Sequence, residues 1–126
     1  MYEYKAVITN VVDGDTFDVD IDLGFHIHIY ERVRLLDVDT PEKFGDEKHL
    51  GLIIKKYAEK EFLGKEVVLK SEKKNTEAVT DSFGRWLVRV FVNDLDIRDI
   101  YDYKGVNKNN NTYNENNVLK LHIEGD

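Results

Sequence analysis

Phe17-Asp18-Val19-Asp20-Ile21-Asp22-Leu23 alternates without a fault, apolar at every odd position and acidic at every even one. Successive side chains of a strand point to opposite faces, so this stretch reads as a strand with one face on a core and the other in water. Upstream, Tyr4 to Val12 reads as a strand, and Asp13-Gly14 marks the turn between the two. Downstream, Gly24 turns the chain into a third apolar and β-branched run, Phe25 to Leu36. The first third is therefore expected to be a three-stranded antiparallel meander.

The period then changes. After a polar stretch at 37–49 holding the only proline, Pro41, the residues Leu50, Ile53, Ile54, Tyr57 and Ala58 recur at helical spacing, and Gly64 supplies a stop. Val67 to Leu69 predicts a fourth strand, residues 72–82 a polar loop, and Trp86 to Val92 a fifth strand alternating Trp86, Val88, Val90 and Val92. Ile97 to Lys104 reads as a short helix ending at Gly105. Seven asparagines fall among residues 107–117, which predicts a solvated loop or disordered tail. Val118 to Ile123 alternates again and predicts an edge strand or a frayed end. Three strands, a helix, then two strands is the order of a mainly β, α+β chain: a five-stranded OB-fold barrel with one to two packed helices.

A chain of 126 residues, 41% hydrophobic and 34% charged, fits one domain with its own core. It has no cysteine, which excludes a disulfide scaffold, a thiolate zinc site and a cysteine nucleophile. Twenty-five acids against 18 Lys and Arg give a net charge of −7, which argues against coating nucleic acid through bulk charge. It does not exclude an enzyme that holds a cation, because ligating carboxylates are neutralised in the working protein. No run of residues is long and apolar enough to span a membrane, and Met1 to Lys5 has no export h-region, so no membrane partner is expected and an intracellular location is favoured over secretion.

Three segments place charge at strand ends, where a rigid scaffold can aim it. They are Asp13-Gly14-Asp15-Thr16, Arg34 through Asp39-Thr40-Pro41-Glu42, and Asp81-Ser82-Phe83-Gly84-Arg85. Taken singly each has a plain reading: a turn, a helix cap, surface arginines. If Asp15, Asp39 and Glu42 converge, their mutual repulsion calls for raised pKa values or a cation between them. All-oxygen ligands favour a hard ion, Ca²⁺ or Mg²⁺. A carboxylate beside a bound phosphate is hydrolytic chemistry, and arginine forks suit phosphate oxygens and transition-state charge. A glycosidase-type acid pair or a carbohydrate-binding OB domain also fits two acids taken alone.

Asp-Gly-Asp-Thr, then Arg-(x)₄-Asp-Thr-Pro-Glu, then Asp-x-Phe-Gly-Arg, in this order, resembles the staphylococcal nuclease family from about Tyr4 to Gly105. The resemblance implies an OB-fold domain over 1–105, with 106–126 as an Asn-rich loop and tail of the same domain. It implies a Ca²⁺-dependent, monomeric endonuclease that hydrolyses DNA and RNA, prefers single strands and leaves 3′-phosphates. By position, Asp15, Asp39 and the Thr40 carbonyl would hold the metal. Glu42 would be the general base or would orient water, and Arg34 and Arg85 would bind the scissile phosphate. Phe83, Lys48 and Tyr113 would touch substrate. The chain departs from the pattern where Ser82-Phe83 replaces a Lys-Tyr pair, and where the Asn-rich stretch stands in place of a further helix. A non-catalytic OB module that binds single strands or a protein is the competing reading. His26 and His28 form a His-x-His pair that most simply reads as exposed strand histidines, and the Asp18, Asp20, Asp22 stripe reads as a solvated face.

Overall fold

The structure is a computed structural model; it describes residues 2–71, 73–74, 77–78 and 85–124, with the backbone alone for 73–74, 77–78 and 123–124. The first three strands are β1 (Tyr2–Asp13), β2 (Thr16–Asp22) and β3 (His28–Leu35), and helix α1 (Lys48–Phe62) follows a 3₁₀ turn at Gly45–Glu47. Next come β4 (Glu66–Ser71), β5 (Lys73–Lys74), β6 (Glu77–Ala78), β7 (Trp86–Val92), β8 (Leu95–Asp96), α2 (Ile97–Lys104) and α3 (Glu115–Glu124).

β1 pairs antiparallel with β2 and β4, β2 with β3, and β4 with β7. A short parallel ladder between β3 and β7, Val33 to Leu35 against Trp86 to Val88, closes these five strands into the expected OB barrel. Closure leaves the barrel proper with few free edges, and β8 folds back on β7. The alternation sets which side chains face in: Phe17, Val19 and Ile21 of β2, Val33 and Leu35 of β3, Val88, Val90 and Val92 of β7. β1 changes phase part-way. Ala6 and Ile8 face in, then Val11, because bulges shift its register between Ile8 and Asn10 and between Val11 and Asp13. Leu50, Ile54, Ala58 and Phe62 of α1 cap the barrel.

Four expectations change. The third strand begins at His28, because Phe25 and His26 sit in a turn with φ of 53° and 64°; His26 and His28 therefore do not share a strand face. Within the expected 72–82 loop, β5 and β6 pair as a two-rung ladder. Of the Asn-rich residues 107–117, 107–114 are the expected loop, as successive turns tied to the fold by hydrogen bonds, whereas 115–117 open α3. Val118 to Ile123 is neither an edge strand nor a frayed end: it lies in α3, a third helix, which packs on α1 and buries Val118 and Leu121 three residues apart. The Asp stripe on β2 is also more than a solvated face, since Asp18 pairs with Arg32 (2.8 Å) and Asp20 with His28 (2.8 Å) across the β2–β3 ladder.

Candidate active site

The β1–β2 turn carries Asp15 into a crowded corner. Asp15 is 7% exposed. Its carboxylate accepts from the Thr16 hydroxyl (3.0 Å), the Thr40 backbone N–H (3.1 Å) and Arg34 Nη2 (3.3 Å). Its backbone carbonyl accepts from the Leu35 N–H (2.9 Å), which fixes the turn to the end of β3. From the other side, the Tyr101 hydroxyl of α2 donates to the Gly14 carbonyl (2.7 Å). The turn needs glycine at 14: a Cβ there would lie 2.7 Å from Thr40 Oγ1 and 2.8 Å from Ile54 Cγ1.

Asp39 arrives from the loop after β3, which leaves the sheet through Asp37 at a φ of 60°. That strained position is held by Asn107 Nδ2 donating to the Asp37 carbonyl (3.1 Å), with Arg98 facing the Asp37 carboxylate at 3.6 Å. Asn107 Oδ1 accepts the Asp39 N–H (2.9 Å), and the Lys108 N–H donates to the Asp39 carbonyl (2.7 Å). Among the described residues the Asp39 carboxylate itself faces only Arg34 Nη2, at 3.5 Å, and it is about half exposed. Arg34 Nη2 also donates to the Val38 carbonyl (3.0 Å), so one guanidinium nitrogen meets both acids and the loop between them. Arg85 Nη1 reaches Thr16 Oγ1 at 3.4 Å, and through that hydroxyl the second arginine joins the Asp15 cluster.

The donor set suits a hard dication: two carboxylates within 3.5 Å of one nitrogen, with the Thr40 backbone beside them and no sulfur or imidazole. Among the described residues no three His, Cys, Asp or Glu side chains gather closely enough to hold an ion by themselves, so backbone oxygen and water would have to complete the shell. Crowding of like charge already appears next door. Burial first, and the Asp15 carboxylate second, raise Asp13 from its ordinary 3.8 to about 6.

The other expected residues divide. Glu42 is exposed, and its carboxylate makes no hydrogen bond or ion pair among the described residues. Its backbone is wedged against α1, where a Cβ on Gly51 would land on the Glu42 carbonyl. Lys48 opens α1, exposed, and no hydrogen bond joins it to the acid and arginine cluster. Tyr113 packs on the core; burial pushes its phenol upward, and its hydroxyl is enclosed with no partner among the described residues. Lys43 donates to the Val12 carbonyl (2.8 Å) and ties the two loops together. Phe83, with Asp81, Ser82 and Gly84, lies outside the described residues.

The sequence model of the family described as staphylococcal nuclease homologue matches residues 32–121. The chain belongs to the staphylococcal nuclease family. That places it among nucleases and nucleic-acid-binding modules of the OB fold. No match is found among curated proteins. The family match takes in Arg34, Asp39, Thr40, Glu42, Arg85 and Asn107, and begins after Asp15. Asp15 joins the group through geometry: its carboxylate is bonded to Arg34 and Thr40, both inside the matched stretch. Asn107, Tyr101 and Gly51 carry no motif of their own. The nearest sequence signal to Asn107 is its place two residues after the helix-ending Gly105.

Proposed function

We propose that this protein is a calcium-dependent endonuclease that hydrolyses phosphodiester bonds in DNA and RNA, prefers single strands and leaves 3′-phosphates. The observation that carries the reading is the single Arg34 nitrogen facing Asp15 and Asp39 together, with Arg85 reaching the same cluster through Thr16. Two acids and two arginines at one end of a closed barrel are what metal-assisted cleavage of a phosphate diester requires.

Calcium held by Asp15, Asp39 and the Thr40 carbonyl would supply a fixed positive charge at the phosphate. Arg34 and Arg85 bind the non-bridging oxygens and stabilise the charge that builds on them as water attacks phosphorus. Glu42, free of partners among the described residues and facing solvent, accepts the proton of that water. The bond from phosphorus to the 5′-oxygen breaks, the 5′-oxygen takes a proton from solvent, and the phosphate stays on the 3′ side. Arg34 can turn to substrate only by loosening its hold on the acids, so the pair must be neutralised by another cation as the arginine engages phosphate.

The test is turnover of heat-denatured DNA and of RNA with calcium and with excess chelator, the product ends being analysed. Cleavage with calcium that yields 3′-phosphates supports the reading. Equal cleavage in chelator removes the metal role. Saturable binding of single strands without cleavage in calcium would make the protein a non-catalytic OB module.

A further inference from the structure

The inward row of β3 runs Ile29, Glu31, Val33, Leu35: three apolar side chains and one carboxylate. Glu31 pairs with Val19 at the middle of β2, and its side chain lies on the same face of the sheet as Ile29 and Val33. Along β2, Val19 lies four residues from Asp15, about 13 Å at strand rise. There Glu31 lines a cleft of about 340 Å³ together with Tyr2, Tyr4, Ser71 and Trp86. Its carboxylate makes no hydrogen bond or ion pair among the described residues. Trp86 is 38% exposed, so the cleft is open to solvent.

A carboxylate set among apolar side chains is unfavourable unless a positive group meets it. Aromatic ring faces carry negative potential and attract cations, alkylated ammonium groups above all. Glu31, two tyrosines and a tryptophan around one cleft therefore combine full and partial negative charge, while Ile21, Leu23 and Ile29 supply apolar wall for methyl groups. The same charge disfavours a phosphate backbone. One carboxylate with few other oxygens is a poor cage for a metal ion. A net charge of −7 draws cations to the surface. We infer that this cleft binds an alkylated ammonium group, carried either by a free small molecule or by a lysine side chain of a basic polypeptide. The inference stands apart from the nuclease reading and uses none of its residues.

Trp86 is the only tryptophan in the chain, so emission excited selectively from tryptophan rather than from the seven tyrosines reports on this cleft. The protein is titrated with tetramethylammonium chloride, with sodium chloride at matched ionic strength as reference, and separately with a short peptide carrying one trimethyllysine. A saturable change in Trp86 emission with the ammonium probes is expected. Glu31→Gln should weaken it about tenfold, and Tyr4→Leu, which keeps the reporter and the charge, by about threefold. Tighter binding of the peptide assigns the cation to a polypeptide, and equal affinity assigns it to a free amine. No saturable change, an equal response to sodium, a response unaltered in both variants, or Trp86 already shielded from acrylamide overturns the inference. So does a shift given by a single-stranded oligonucleotide but not by the ammonium probes. Glu31 also lies on the part of β3 that pairs with β2 alone. If Glu31→Gln self-associates while its ammonium response matches the parent protein, the residue is an edge guard and the inference falls.

Discussion

Asp15 and Asp39 face the same guanidinium nitrogen and are held by opposite means. Asp15 is fixed by its side chain: Thr16, Thr40 and Arg34 bond the carboxylate, in a turn pinned by Leu35 and Tyr101. Asp39 is fixed by its backbone, gripped at N–H and carbonyl by Asn107 and Lys108, while its carboxylate meets Arg34 alone among the described residues. The first acid is part of the barrel. The second hangs on a segment that packs against the barrel from outside. Yet both braces issue from α2 and its exit, through Tyr101 and Asn107. The difference teaches where the site can be tuned: changes near Asp15 should cost stability, whereas changes near 107–108 should move Asp39 and cost function first.

The largest effect tests what the two acids share. Arg34→Ala or Arg85→Ala should lower cleavage by roughly 10²-fold or more, the scale of losing one preorganised donor to the transition state. Calcium binding should respond differently. Arg34 competes for both acids, so its removal should leave calorimetric calcium affinity equal or tighter, with a larger calcium-induced rise in melting temperature. If affinity falls in step with rate, Arg34 supports the acid pair rather than the phosphate.

The next effect separates the two acids. Asn107 is almost fully buried and also donates to Asp102 Oδ1 at 2.8 Å. Asn107→Ala should lower cleavage and calcium affinity about tenfold and cost about 1–2 kcal/mol in denaturant unfolding. Asn107→Asp keeps the acceptor for the Asp39 N–H but loses the donor to the Asp37 carbonyl and sets a carboxylate against Asp102, so it should retain more calcium affinity than alanine at a larger stability loss. Matching affinities in the two variants would break the claim that the Asp39 N–H is the contact that matters. Tyr101→Phe, on the barrel side, should cost about 1 kcal/mol and leave affinity within about twofold, because Asp15 keeps its carboxylate bonds.

The same contrast explains what could be read in advance. The Asp15 half rests on local pattern: alternation in β2, an Asp-Gly turn, an arginine near the end of β3. The Asp39 half rests on contacts across 68 residues of chain, which no window of sequence contains. An asparagine-rich stretch has the composition of a loop whether or not one member is buried, and the burial of Asn107 depends on Asp37 and Asp102 presenting their oxygens. Val118, Leu119, Leu121 and Ile123 satisfy both a period of two and a helical face, and so short a run does not decide between them. Packing against α1 does, by burying Val118 and Leu121 on one side of a helix. Gly51 looks like a weak residue in an amphipathic helix until the Glu42 backbone is seen against it.

The smallest effect probes the electrostatics of the buried half. Asp13 is raised from 3.8 to about 6, by burial first and by the neighbouring Asp15 carboxylate next. Because the native state holds its proton more tightly than the unfolded chain, this group stabilises the fold fully below about pH 4. The contribution is lost as pH rises through about 6, beyond which a charged Asp13 stands beside Asp15 in the native state. Asp13→Asn removes the titration and keeps an oxygen to accept the Asp15 N–H, now at 3.4 Å. In chelator, the melting temperature of the variant relative to the parent should therefore climb between about pH 4 and pH 6 and level off above that window. A difference that stays flat would mean that the Asp15 corner carries no excess of negative charge to be relieved. The buried acid would then differ from the exposed one in its hydrogen bonds alone.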